Sequence, residues 1–240
     1  MGVVKYLDEI NLAPSTYHGV SMGAIVASIE ALNLKPSKKH FLYDSVFNSL
    51  KWIRPKFNGS LISTSKIEAI LDDIFSNLRF SDLEKELNII ATNYHSGKLT
   101  IFNKDNNIKI KDAILASIAV PALFPPKKID NEYFVDGYIS SNLPLQSINN
   151  NLINLVVNVT GKNSFKRLNS KEIEELSILG NLERSIRILI YNQTKMALKE
   201  FNKEYILLEP DVSSFKTSYF HKYQQIKEIG YKEAKRVLLK

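Results

Sequence analysis

A chain of 240 residues is long enough to bury one sizeable core and short for two; with 44% hydrophobic and 24% charged residues it has the composition of a folded protein, which excludes a mostly disordered one. It has no cysteine, so disulfides, thiolate nucleophiles and Cys-ligated zinc are excluded as well. The formal net charge of +7 comes from lysines spread along the whole chain, which predicts a solvated basic surface with a salt-screened attraction to anionic lipid; no nucleic-acid-binding motif accompanies it, and no nucleic-acid partner is expected.

In chain order, Gly2 to Ile10 reads as the end of a helix and Ser15 to Gly19 as a short strand leading into a turn. The run from Met22 to Leu32 is helical and apolar on most sides, so it predicts a buried helix. Between Phe41 and Phe57 aromatic and basic residues interleave, which fits either a lipid-facing flap or a helix packed on the core with a solvated basic side. Ser65-Lys66-Ile67-Glu68 is a capping box, followed at helical spacing by Ile67, Ile70, Leu71, Ile74, Phe75 and Leu78. Strands are predicted at Leu87 to Thr92, Lys98 to Phe102 and, briefly, Ile108 to Ile110. Asp112 then caps a helix to about Ala119, which Pro121 ends.

Tyr133 to Val135 and Leu152 to Val159 read as strands, the second apolar enough for a buried parallel strand. A long helical stretch follows from Ser170 to Phe201, then a strand at Tyr205 to Leu208 and an amphipathic helix from Phe220 to Leu238. This alternation predicts an α/β fold with a central, mostly parallel sheet flanked by helices. No repeat or linker interrupts it, so residues 1–240 are read as one domain. There is no apolar run of spanning length, and the start lacks a basic region followed by an apolar one, so a cytoplasmic or peripheral-membrane protein is expected.

Gly19-Val20-Ser21-Met22-Gly23 lies between a predicted strand and a predicted helix, the setting a nucleophile elbow requires. Glycines on both sides of Ser21 relieve a turn too tight for side chains, and the serine oxygen projects at a helix N-terminus, where amides and the dipole favour negative charge. A serine needs a base. His221 is the histidine late enough in the chain to follow an acid, but it falls inside the final helix; His18 adjoins the elbow and points off the strand, away from Ser21; His40 and His95 have no placed partner. The other choice is a carboxylate, and Tyr133-Phe134-Val135-Asp136-Gly137 places one at a strand end, with Gly137 allowing a sharp turn beyond it.

Three stretches together resemble the patatin-like phospholipases, in particular the bacterial members. They are Gly19-Val20-Ser21-Met22-Gly23-Ala24-Ile25-Val26, the run from Ala116-Ser117 through Pro121 and Phe124 to Pro126, and Val135-Asp136-Gly137 followed by Asn142-Leu143-Pro144. The resemblance implies a patatin-like α/β fold and a Ser-Asp dyad without histidine, acting on acyl esters of phospholipids, lysophospholipids or neutral lipids. Carried over to this chain, Ser21 is the nucleophile, Asp136 the proton acceptor, Gly19 and Gly23 the flanks of the elbow, and Gly137 the turn after the acid. Such a partner implies peripheral membrane contact.

The chain departs from the family at two places. Gly2 to Leu7 resembles the helix that follows the family's first strand and Gly-rich oxyanion loop, so the chain is read as lacking both; the Met22 amide is then the oxyanion donor that remains. Tyr138 stands where the family carries Gly or Ala, and is expected to narrow the site. The rival readings are a catalytically impaired relative that binds lipid or a protein partner, and a soluble carboxylesterase or thioesterase on the same dyad. No metal or cofactor is expected, since no carboxylate cluster stands at ligand spacing.

Overall fold

The structure, a computed structural model, describes residues 1–50, 64–148, 152–161, 167–215 and 220–239. α1 (Gly2–Glu9) precedes β1 (Thr16–Val20), and α2 (Met22–Ala31) begins one residue after the strand ends. α2 is enclosed, as its apolar run requires: Ala24, Ile25, Ile29 and Ala31 have no exposed surface. In α3 (Pro36–Leu50), Tyr43, Val46 and Phe47 enter the core while Phe41 stays in solvent. This is the packed-helix alternative for the start of the aromatic and basic stretch; positions 51–57 lie outside the described residues.

α4 (Ser65–Phe75) has Thr64, not Ser65, as its N-cap, and the Thr64 hydroxyl donates to Glu68 at 2.6 Å in place of the expected capping box. β2 (Glu86–Asn93) and β3 (Leu99–Phe102) form a hairpin. No strand forms at Ile108 to Ile110. Ile110 N–H bonds the Leu78 carbonyl and opens α5 (Ile110–Ser117), leaving Lys109 a single bridge to Arg79. Lys109 is therefore the N-cap, and Asp112 sits in the first turn, paired with Lys127 at 2.8 Å.

β4 (Lys127–Ile129), β5 (Glu132–Asp136), β6 (Asn154–Val157), α6 (Ser170–Glu174), α7 (Ile178–Glu200), β7 (Tyr205–Leu208) and α8 (Tyr223–Leu238) complete the order. β6 is shorter and less enclosed than its sequence predicts: Val156 is buried, whereas Leu152, Ile153 and Val159 are exposed. The long helical stretch breaks before Ile178, where the Ser177 hydroxyl caps Gly180 N–H and starts α7 afresh. Among the described residues no helix is long and apolar enough to cross a membrane.

The strands β1, β2 and β4 share one direction and β3 and β5 the other; β6 and β7 form a separate parallel pair. A strand has two edges, and β3 takes residues 89–92 of one edge of β2. β1, paired with residues 86–90, and β5, paired with 91–93, therefore lie in line along the other edge. They approach head-on. β1 runs up to Val20 opposite Ile90, and β5 runs down to Asp136 opposite Ala91, so the last rung of one adjoins the last rung of the other. Neither strand has room to continue, and both chains must turn out of the sheet at this point.

A buried polar knot fixes α2 to its neighbours. Lys39 on α3 donates to Glu30 at the end of α2 and to Asp8 on α1, each at 2.7 Å, and Tyr43 donates to the other Glu30 oxygen at 2.6 Å. Glu30 and Lys39 are both buried, so each charge depends on the other for compensation. Lys39→Met should destabilise the protein by about 3–5 kcal/mol, because it leaves the buried Glu30 carboxylate without its cation, and Tyr43→Phe by less. Urea unfolding of the two variants checks the order; a milder loss for Lys39→Met would show that Glu30 is held by something other than this cation.

Candidate active site

The head-on meeting of β1 and β5 places Ser21 beside Asp136. Ser21 follows the last rung of β1 and takes up φ 54°, ψ −128°, a conformation that side chains rarely adopt. The chain then enters α2, whose first turn closes with Ala24 N–H on the Ser21 carbonyl at 2.9 Å. The turn folds the helix onto the strand: a Cβ on Gly19 would lie 2.6 Å from Ala24 Cα and 2.7 Å from the Gly23 carbonyl oxygen. Gly19 therefore has the steric role its position predicts. Gly23 does not. A Cβ there meets nothing within 4 Å, and the expectation that both glycines relieve crowding is corrected at this one.

Asp136 lies across from Ser21 with no exposed surface. Ser21 Oγ donates to Asp136 Oδ2 at 2.6 Å, with no imidazole between them. Tyr138 N–H donates to Oδ1 at 3.0 Å. The main chain is held too: Asp136 N–H bonds the Ala119 carbonyl at 3.0 Å, and the Asp136 carbonyl accepts from Thr92 Oγ1 at 3.0 Å. Gly137 is required here, because a Cβ would sit 2.4 Å from the Ile90 carbonyl oxygen. Burial pushes the Asp136 carboxyl up to about 7, against the smaller opposing pulls of the Ser21 hydroxyl and the Tyr138 amide. A carboxylate so raised has the proton affinity of a histidine.

The other candidates are placed elsewhere. His18 Nδ1 stands 2.6 Å from Ser147 Oγ, and that hydroxyl donates to the Pro144 carbonyl at 2.6 Å; burial lowers the pKa of the ring. Its partner is thus the loop after Asp136, not Ser21. His221 is exposed in a short turn before α8. Met22 is the first residue of α2, next to Ser21. Tyr138 is half-buried, and it is the main chain of this residue that holds the acid. Asn142 ties the following loop to α7, its N–H bonding Gln193 at 2.8 Å and its amide reaching Thr194 at 3.1 Å. Reading the residues alone misses Thr92, Ser117 and Ser140 as parts of the site, because each acts through partners distant in sequence; Ser140, for one, lies with its hydroxyl 2.9 Å from that of Thr92. Ser117 did carry a signal, its place in the Ala-Ser-x-x-x-Pro stretch.

Comparison with known proteins bears on the family of the chain. The sequence model of the patatin-like phospholipases matches residues 1–148. The uncharacterized NTE family protein Rv1063c of Mycobacterium tuberculosis is 26% identical over 150 residues, 62% of this chain and 41% of that protein. The uncharacterized protein R571 of Acanthamoeba polyphaga mimivirus is 26% identical over 166 residues, 62% of this chain and 54% of that one. The chain thus matches well under two thirds of the length of these relatives. Among solved structures, VipD from Legionella pneumophila superposes on 99% of the chain and 63% of its own, with a TM-score of 0.48 and 15% identity.

The raised pKa has a consequence for stability. The native state holds the Asp136 proton up to about pH 7, whereas an unfolded carboxyl releases it near 3.8, so the ionised group weakens the fold increasingly as pH rises through this window. Asp136→Asn removes that penalty. Relative to wild type it should gain melting temperature at pH 8, reflecting up to a few kcal/mol, and gain less at pH 5. An equal difference at both pH values would show that Asp136 is not raised in the native state.

Proposed function

The chain belongs to the patatin-like phospholipase family, and from that premise we propose that it is a serine acyl-ester hydrolase of the phospholipase A or lysophospholipase type, with Ser21 as nucleophile and Asp136 as its base. One observation carries the reading: the serine at a strained strand-to-helix turn donates a hydrogen bond directly to a buried carboxylate, 2.6 Å away. A surface serine has no use for either feature.

Ser21 Oγ attacks the ester carbonyl carbon as its proton passes to Asp136 Oδ2, and the carbonyl oxygen takes the negative charge. The Met22 amide, at the first turn of α2, donates to that oxygen in this reading, with the helix dipole behind it. Collapse of the intermediate breaks the bond to the alcohol, which leaves with the proton from Asp136. Water then attacks the acyl-enzyme; Asp136 takes its proton and returns one to Ser21.

An acyl-ester lipid is the substrate class, and it requires contact with the surface of a membrane or micelle. The net charge of +7 supports contact with anionic phospholipid.

The dyad makes a kinetic prediction. Ser21→Ala and Asp136→Asn should each lower hydrolysis of p-nitrophenyl butyrate and of lysophosphatidylcholine by about 10³-fold or more, while His18→Ala and His221→Ala stay within about threefold of wild type. Because Asp136 must be ionised to act, kcat/KM should climb with pH and level off above about 7. Loss of activity in a folded His221→Ala protein would replace the dyad with a histidine mechanism.

A further inference from the structure

The hydroxyl of Ser117 joins three parts of the site that are far apart in sequence. It accepts a hydrogen bond from Ser21 N–H at 2.8 Å and donates one to the Ile90 carbonyl at 2.6 Å. The directions are forced, since an amide N–H only donates and a carbonyl only accepts. Ser117 is the last residue of α5, has no exposed surface, and spends its single proton on β2. Its oxygen is thereby oriented toward the elbow.

We propose that Ser117 is a positioning residue for the nucleophile: its bridge between Ser21 N–H and the Ile90 carbonyl holds the serine main chain in the strained turn from which Oγ reaches Asp136. The proposal rests on the hydrolase reading above and gives it a further part. A residue at φ 54° relaxes unless its surroundings hold it there, and Ala24 N–H on the Ser21 carbonyl secures the far side of the turn only. The near side is Ser21 N–H, and Ser117 is its partner. The bridge also turns this amide back into the protein, toward α5, so it is not available to a substrate oxygen. The oxyanion donors of the elbow are therefore the amides after Ser21, beginning with Met22.

The bridge ends on the Ile90 carbonyl, where β1 gives way to β5. The same oxygen is the atom that a Cβ on Gly137 would strike. Ser117 thus measures the nucleophile's position from the point against which the acid's own turn is packed.

Two measurements test this. In the wild-type protein, amide exchange followed by NMR should find Ser21 N–H protected at least about tenfold more than Met22 N–H, since helix-start amides lack partners. Equal exchange at the two would overturn the proposal, and this result stands even if the protein hydrolyses no ester, an outcome that would remove the hydrolase reading instead. The second compares Ser117→Ala with Ser117→Thr, which keeps the γ-hydroxyl, on p-nitrophenyl butyrate, counting competent sites by titration with an alkyl fluorophosphonate. Ser117→Ala should lower kcat per titrated site by about 10- to 100-fold with KM little changed, and Ser117→Thr should recover most of it. In Ser117→Ala the acid limb of the pH profile should also move up by about half a unit, because the Ser21 hydrogen bond that lowers Asp136 is weakened. A loss of kcat per site with the acid limb unmoved would mean that Ser117 supports the fold alone, and an unchanged kcat would remove any role.

Discussion

The site depends on two strands meeting end to end on one edge of a third. β1 and β5 climb toward each other along β2 and stop at adjacent rungs, Val20 opposite Ile90 and Asp136 opposite Ala91. Everything unusual nearby follows from that meeting. The chain leaves β1 through a serine at positive φ because the space ahead is occupied, and it leaves β5 through a glycine because any side chain would strike the Ile90 carbonyl. The nucleophile and the carboxylate are thus held close by main-chain ladders, with side chains contributing only the last few ångströms. This is a stiff arrangement, since moving either group requires breaking sheet hydrogen bonds.

Burial completes the chemistry. An exposed aspartate is ionised at neutral pH but far too weak a base to accept a serine proton with ease. Taken wholly out of water, the carboxyl of Asp136 rises to about 7, into the range that suits general base catalysis. The Ser21 hydroxyl and Tyr138 amide restrain the rise by favouring the charged form. Under the proposed mechanism a carboxylate in this setting fills the role for which other hydrolases recruit an imidazole held by a second acid, so one residue replaces two. The cost is an ionised group in a site that would be more stable without its charge, which is an instance of function and stability opposing each other.

Ser21 and Asp136, which the fold brings to 2.6 Å, stand out in the sequence because each carries a local signature: glycine-flanked serine between strand and helix, and aspartate before glycine at a strand end. The α/β alternation is legible for the same reason, through changes in apolar period. What sequence does not reveal is contact across long separations. The Ala-Ser-x-x-x-Pro stretch marks Ser117 without giving it a role, and only folding brings its hydroxyl against an amide 96 positions away. The end-to-end registry of β1 and β5 is equally invisible, since it is a fact about which rungs of β2 remain free. Local signals also mislead where two residues suit the same role, as Thr64 and Ser65 do for the cap of α4. At Ile108 to Ile110 an apolar alternation suggests a strand, yet the Leu78 carbonyl captures Ile110 N–H and starts a helix.

The head-on arrangement makes the catalytic distance a matter of counting. Strand ends are set in whole rungs of roughly 3.3 Å, and a shift by one rung turns every side chain to the opposite face. The separation of the two strand ends, Val20 and Asp136, therefore has no intermediate settings, and the turn at Ser21 supplies the finer adjustment. Variation in the loops and helices between residues 22 and 131 leaves the count untouched, because both strands are numbered from the same short piece of β2. The surroundings of the site are free to diverge in length while the strand ends stay in step, except where a residue such as Ser117 reaches into the turn.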